Sequence, residues 1–282
     1  MMKRVVKPIV RHVFIAFMAI VWLIPIVWLV RTSFSANPGI NISHFFPEKW
    51  SLNNYKLLLF NADTVAQFPN WFKNTFIIAC FSCVISTFMV LSVSYCMSRL
   101  RFKMRKSFMN LAMIMTLFPG FMSMIAVYYI LKAIGLSEGS MIRVAPVMVY
   151  SGGAGLGFYV AKGFFDTIPK SLDEAALIDG ATKWQIFTKV TMPLSKPIVV
   201  YTVLTSFMGP WTDFIFAKVI CRASSEYYTV AIGLWKMLEK EYIAKWFTSF
   251  AAGAVLISIP ISILFMVTQK FYAEGMSGAV KG

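Results

Sequence analysis

The sequence predicts an all-α integral membrane protein with six transmembrane helices and a helix-turn-helix on the cytoplasmic side. Three observations carry that prediction. The side chains are 58% hydrophobic and only 14% charged, against about 25% charged in ordinary soluble domains. The charges are missing from long blocks rather than thinned evenly along the chain. The lysines and arginines crowd into alternate gaps between those blocks.

The blocks give the elements in order. A helix needs about 20 predominantly apolar residues to cross the hydrocarbon core of a bilayer. Residues 13–30, 74–98, 107–131, 144–161, 197–217 and 246–269 supply six such stretches, and the only charged residue in any of them is Asp213, in the fifth. The first follows Lys3, Arg4, Lys7 and Arg11, the layout of a secretory signal, with a weak cleavage site at Ser33-Phe34-Ser35. Its apolar run exceeds a signal's usual core of roughly 7–15 residues, so it reads as an uncleaved span. Residues 1–282 then form a single transmembrane domain.

The sides of the membrane follow from the basic residues. Arg99, Arg101, Lys103, Arg105 and Lys106 fall within one short gap, and the N-terminal tail is similarly basic. Positive charge accumulates on the cytoplasmic side. Both termini, residues 99–106 and residues 162–196 are therefore expected in the cytoplasm. Residues 31–73 and 218–245 are expected outside, the latter somewhat more basic than the rule prefers. This placement also accounts for the net charge of +15 without nucleic acid as a partner.

Helix breakers punctuate the spans: Pro25, Pro119-Gly120, the glycines from Gly152 to Gly157, Gly209-Pro210 and Pro260. Each admits two readings, close packing through small residues or the lining of a pathway in which neighbouring groups satisfy the freed backbone. The glycine cluster is not a G-x-G-x-x-G fingerprint, and no Gly-Lys dipeptide exists to build a phosphate-binding loop. Any ATP would have to be bound by another chain. Cys80-Phe-Ser-Cys83 has redox spacing but lies in a span, with Cys96, and reads as packing; Cys221 is expected outside and alone. His12 and His44 are the only histidines, and no metal site can be assembled from them.

The most polar long stretch runs from Ser171 to Pro193. Ser171-Leu-Asp-Glu174 has the form of a capping box, a hydroxyl at the helix start with a carboxylate three residues on. The helix it opens, residues 172–179, should stop at Gly180 in the left-handed conformation. Thr182-Lys-Trp-Gln185 offers a second box, opening a helix that runs to about Thr191 and stops at Met192-Pro193. Leu172, Ala175 and Ala176 can share one face of the first helix, and Trp184, Phe187 and Val190 one face of the second. Helices this short are not stable alone. The pair must either dock on a partner or lie on the membrane surface, and the residues themselves leave both open.

The order Glu174-Ala175-Ala176, then Asp179-Gly180-Ala181, then Val190 and Pro193, resembles the EAA loop of ABC importer permeases. It departs only in Val190 and Met192, where that pattern has Ile and Leu. Within that family the chain resembles the smaller permease of carbohydrate importers of the maltose and oligosaccharide type. Trp211-Thr-Asp213-Phe at the end of the fifth span and Gly275-Met-Ser-Gly-Ala-Val-Lys-Gly282 at the C-terminus are further marks. The resemblance implies a multi-pass protein of the bacterial plasma membrane, one half of a channel completed by a homologous second permease. Two ATPase subunits would bind the ATP and magnesium, this chain holding no cofactor and doing no catalysis. An extracytoplasmic solute-binding protein would deliver a sugar, such as maltose or a maltodextrin. The EAA loop would seat in a cleft of the ATPase and couple it to transport. Leu238, Glu239, Lys240, Glu241 and Tyr242, in the last outer loop, would touch the binding protein.

Two rival functions are weighed on the residues. A self-contained secondary transporter or channel needs intramembrane carboxylates or histidines to couple ions, and Asp213 is a lone acid near the outer interface. It reads as structural, beside the Gly209-Pro210 break or paired with Lys218. A membrane-embedded enzyme needs a nucleophile and base or metal ligands converging on a span, and none converge. Tyr128, Tyr129, Tyr150, Phe158 and Tyr159 could stack on sugar rings, although aromatic residues in spans usually pack.

Overall fold

The computed structural model describes residues 2–40, 45–60, 66–118, 120–154, 157–221 and 225–279, with side chains over 9–271 except that of Phe121. His44, Pro119, Gly155 and Val280 to Gly282 fall outside the described residues, as do the side chains of Lys3, Arg4, Lys7 and Gly275 to Ala279. Helices and one isolated antiparallel bridge, Ser35 to Trp50, make up the regular structure among the described residues.

Among the described residues, three single helices are long and apolar enough to cross a membrane: Ile9–Ser33, Phe68–Arg99 and Ile243–Phe271. They correspond to the first, second and sixth expected spans. Three pairs of helices bent at a break, Arg105–Leu117 with Met122–Ala133, Gly139–Ala154 with Phe158–Thr167, and Lys196–Thr212 with Ile215–Cys221, are long and apolar enough only when each pair is taken together, and they overlap the other three expected stretches. The first two breaks fall beside expected helix breakers, Gly120 and Gly157, whereas Pro210 and Pro260 lie inside helices and the third break follows at Asp213 and Phe214.

The chain forms two compact units. The first comprises Met1–Pro69 and Gly233–Ile259. Its long helix α1 (Met2–Ser33) buries none of its most apolar window within the protein, as a helix facing lipid would. After α1, Asn54 of α2 (Asn53–Phe60) organises the turn. Its Nδ2 donates to the carbonyls of Ser33 (2.9 Å) and Ser35 (2.8 Å), and its Oδ1 accepts from the Thr248 hydroxyl (3.0 Å). One buried amide thereby satisfies three groups, which is how a buried polar side chain avoids its desolvation cost. Close packing in the same unit centres on Gly253, where a Cβ would come within 2.5 Å of Leu234 Cδ2 and 3.3 Å of Phe68 Cε2.

The second unit comprises Asn70–Ile232 and Pro260–Gly282. It holds most of α3 (Phe68–Arg99), then α4 (Arg105–Leu117), α5 (Gly120–Ala133), a 3-10 turn Gly139–Arg143, α6 (Val144–Ala154) and α7 (Phe158–Thr167). The short helices α8 (Lys170–Ile178), α9 (Lys183–Gln185) and α10 (Met192–Leu194) follow, then α11 (Lys196–Thr212) and α12 (Ile215–Cys221). Helix α13 (Val230–Met237) and the long α14 (Ile243–Ala279) complete the chain.

Among the described residues, two apolar clusters help to hold this unit together. One joins Tyr128 and Leu131 of α5 to Ala145 and to Phe216, Ala217 and Ile220 of α12. Cys221 belongs to it as a buried core residue, its thiol toward the Tyr227 carbonyl at 3.2 Å. The second cluster joins Val90, Leu91 and Tyr95 of α3 to Phe165 of α7, to Phe187 and to Ile198 of α11. A buried polar knot closes one end: Asn74, fully buried, donates to the carbonyls of Glu226 (2.8 Å) and Tyr228 (3.1 Å) and accepts from Arg143 Nε (2.9 Å).

Candidate functional site

The second cluster carries the polar segment that the sequence singles out. Helix α8 begins at Lys170, directly after Pro169 in an extended conformation, and no side chain caps it. Ser171 is therefore inside the first turn and the first capping box does not form. Pro169 explains the shift, because its missing N–H and fixed φ suit the residue at a helix entry. The helix ends as expected. Gly180 has φ +82°, Gly180 N–H donates to the Leu177 carbonyl (3.0 Å) and Ala181 N–H to the Ala176 carbonyl (2.9 Å). That pair of bonds is the Schellman stop, which requires a left-handed residue.

The second half begins with the expected capping box. Gln185 N–H donates to Thr182 Oγ1 (3.3 Å), and Thr182 N–H donates to Gln185 Oε1 (2.7 Å). The helix then widens into a π turn over Ile186–Thr191 and continues as α10 to the break at Ser195. Pro193 thus lies within the helix rather than ending it. A proline ring clashes with the carbonyl four residues back in a regular α-helix, and the wider π turn just before it makes room.

The faces of this elbow differ. No residue of α8 is buried. Ile178 is 87% exposed, Leu177 51% and Trp184 62%. Glu174, Ala175 and Asp179 are exposed, Ala176 and Val190 half-buried. Trp184, Phe187 and Val190 do not share one environment: Phe187 is buried against Tyr95, ring centroids 4.8 Å apart, while Trp184 touches the Phe187 ring at 5.5 Å but is mostly exposed. The elbow is seated on its own unit by the second half and presents apolar side chains outward from the first.

One turn of α3 grips it. Tyr95 donates its hydroxyl hydrogen to the Lys183 carbonyl (3.3 Å), and Ser98 donates to Asp166 Oδ1 (2.6 Å). Lys162 holds the other carboxylate oxygen of Asp166 at 2.6 Å. Arg99 Nη2 donates to the Ile168 carbonyl (2.8 Å), and its Nε lies 3.2 Å from Asp173 Oδ2. Sequence reading assigns Asp173 only to a helix N-terminus. Its partner lies far away in the chain, and no local pattern points to it.

The other expected site residues are placed as follows. Leu238 to Tyr242 form two consecutive tight turns between α13 and α14, with Glu239 N–H on the Lys236 carbonyl (3.2 Å) and Tyr242 N–H on the Glu239 carbonyl (2.8 Å). Glu239, Lys240 and Glu241 are exposed, while Leu238 and Tyr242 are half-buried. Asp213 sits at the 56° bend between α11 and α12. Its Oδ1 accepts from Phe216 N–H (3.1 Å) and its Oδ2 from the Tyr150 hydroxyl (2.5 Å). Lys218 instead lies over the Phe214 ring, 5.2 Å from its centroid, so the expected structural role holds but not the expected ion pair. Tyr150 lines two cavities of about 380 and 630 Å³, the first bordered by α3, α7 and α11, the second by α5 and the α11–α12 bend. Among the described residues no group of three His, Cys, Asp or Glu side chains could hold a metal ion.

A bent-helix membrane bundle that displays a polar two-helix elbow is the architecture of a transporter's membrane subunit. Over residues 91–278 the chain matches the family described as binding-protein-dependent transport system inner membrane component, and it belongs to that family. It is 31% identical to the galactooligosaccharides transport system permease protein of Bacillus subtilis over 99% of this chain and 98% of that one. Identity to the maltodextrin transport system permease protein of the same organism is also 31%, over 99% and 98%. The maltose/maltodextrin transport system permease protein of Vibrio vulnificus is 31% identical, over 95% and 93%. In fold it is similar to a chain of a bacterial ABC transporter involved in the import of alginate, with a TM-score of 0.77, 24% identity, and coverage of 95% of this chain and 96% of that one.

Proposed function

We propose that this chain is one half of the membrane channel of an ATP-driven importer of a di- or oligosaccharide of the maltose or maltodextrin kind. A second, homologous permease completes the channel, two ATPase subunits bind ATP and magnesium beneath it, and a solute-binding protein delivers the sugar from outside. The N- and C-termini lie in the cytoplasm of a bacterial cell. In this reading residues 162–196 are the coupling element, with Glu174, Ala175, Ala176, Asp179, Gly180, Ala181, Val190 and Pro193 forming or shaping the part that meets the ATPase. Glu239, Lys240 and Glu241, flanked by Leu238 and Tyr242, meet the binding protein.

One observation carries the reading: the elbow is anchored to α3 yet leaves Leu177, Ile178 and Trp184 largely exposed. Exposed apolar groups rimmed by polar ones mark a docking surface, and a short helix laid into a groove is a common recognition mode. A helix pair resting on lipid would leave its charged rim, Lys170, Glu174 and Asp179, on the apolar side as well. The names of its relatives support the sugar class. Asp213, engaged by Phe216 N–H and Tyr150, gives little support to an ion-coupled transporter.

The test is purification of the complex through a tag on this chain, with uptake of labelled maltotriose measured in the same cells. ATPase chains should co-purify, and uptake should cease when ATP is depleted but persist when ion gradients are collapsed. Uptake by the chain alone in liposomes would overturn the proposal.

A further inference from the structure

We infer that Arg99 is the positioning residue that ties the coupling helix α8 to α3, so that displacement of α8 by a docked ATPase is delivered to a membrane helix. The inference rests on the docking role proposed above and adds the link behind it.

The two halves of the elbow are held in different ways. The second half is packed: Ile186, Phe187 and Thr191 are buried, and the Phe187 ring packs against Tyr95 at a tilt of 53°. Helix α8 has no fully buried residue, only Asp173 and Ala176 being partly covered, so apolar packing holds it less firmly. What reaches it is the guanidinium of Arg99, with a side chain 4% exposed, against the Asp173 carboxylate, 14% exposed. The same guanidinium holds the Ile168 carbonyl at 2.8 Å, at the exit from α7. Arg99 therefore pins both ends of the short connection into α8.

The geometry concentrates these contacts. Tyr95, Ser98 and Arg99 are spaced three and four residues apart, which places them on one face of a helix. They meet Lys183, Asp166 and Asp173 respectively. Arg99 is also the last residue of α3, where a cation complements the helix dipole. Helix α3 has 32 residues, roughly 48 Å of rigid rod at the α-helical rise. A shift of α8 is thereby passed to the end of a lever that crosses the membrane. The planar fork of arginine suits a double attachment to a carbonyl and a carboxylate, which a lysine ammonium cannot reproduce in the same orientation.

The test compares Asp173→Asn and Arg99→Lys with the parent in the complex purified through a tag on this chain and returned to liposomes. Hydrogen exchange of the backbone amides reports local opening. In Asp173→Asn, amides of 170–178 should exchange about tenfold faster while those of 186–191 keep their parental rates, a change within the usual range of coupling between sites of roughly 5–150-fold. ATPase chains should still co-purify, yet the ATP hydrolysed per labelled maltotriose imported should rise by a similar factor. Arg99→Lys, which keeps the charge, should give an intermediate ratio.

The inference is overturned if exchange of 170–178 stays within about twofold of the parent in Asp173→Asn. It is equally overturned if that variant loses the ATPase chains, since Asp173 would then belong to the docking surface. Failure of the parent itself to retain ATPase chains would sink the docking proposal, and the exchange pattern would still decide whether Arg99 tethers α8.

Discussion

Tyr150 of α6 donates its hydroxyl hydrogen to Asp213 across 2.5 Å, and the other oxygen of that carboxylate caps the first turn of α12 through Phe216 N–H. One acid thus stabilises the break between α11 and α12 and joins it to a neighbouring helix. Removing only the hydroxyl leaves a half-buried carboxylate oxygen short of a partner, a loss of about 1–3 kcal/mol. Tyr150→Phe should lower the thermal stability of the purified protein accordingly. Asp213→Asn keeps a carbonyl oxygen for Phe216 N–H and offers an amide N–H to the Tyr150 oxygen, which can accept it, and should be milder than Asp213→Ala. Equal melting temperatures for Asp213→Ala and the parent would show that the bend does not need this cap.

Gly180 is left-handed, φ +82°, and an added Cβ would meet nothing within 4 Å. The expected penalty is therefore conformational alone, about 1–2 kcal/mol for an ordinary side chain. Gly180→Asn should cost less than Gly180→Val, because Asn enters this region readily. Membrane abundance should be unchanged in both, while co-purification of ATPase chains should fall for Val. Parental co-purification and uptake by Gly180→Val would remove the elbow from the docking reading.

The position of Gly180 was legible because a helix stop is a local event, written in a glycine after an amphipathic run. The Thr182–Gln185 box and the six apolar stretches were legible for the same reason. Ser171 misled because a competing local signal, Pro169, sets the helix start two residues earlier. Pro193 misled because the proline rule assumes an α-helix, and the chain widens to a π turn ahead of it. The Arg99–Asp173 pair and the burial of Cys221 were not legible at all. Both depend on which helices meet, and a single sequence carries no such information.

Thr182 and Gln185 satisfy each other's backbone groups at the start of α9. Thr182→Ala removes the hydroxyl acceptor, at about 1 kcal/mol for a lost N-cap, with no loss of apolar packing. Amides of 183–186 should lose protection from hydrogen exchange, while Phe187, buried on Tyr95, holds the rest of the element. Unchanged protection would mean that the box is incidental.

Gly253 leaves no room for a side chain, with Leu234 Cδ2 at 2.5 Å from an ideal Cβ. Gly253→Val should destabilise the protein by about 1–3 kcal/mol through overpacking, and adding Leu234→Ala should recover part of it. The double variant melting no higher than Gly253→Val would argue that the strain lies elsewhere.

Glu239, Lys240 and Glu241 protrude from tight turns that backbone bonds hold in place. Replacing all three by Ala should leave the turns and the assembled complex intact. Stimulation of ATP hydrolysis by the binding protein should weaken. Full stimulation in the triple variant would move the binding-protein contact to another outer segment.

The docking claim is tested most directly by a photo-crosslinking amino acid placed at Ile178, 87% exposed at the tip of the elbow, with Trp22, 73% exposed on α1, as the control. After irradiation of intact membranes, the Ile178 probe should give an adduct with the mass of this chain plus an ATPase subunit, and the Trp22 probe none. If the Ile178 probe gives no such adduct, or if both positions give it alike, the elbow does not seat in an ATPase.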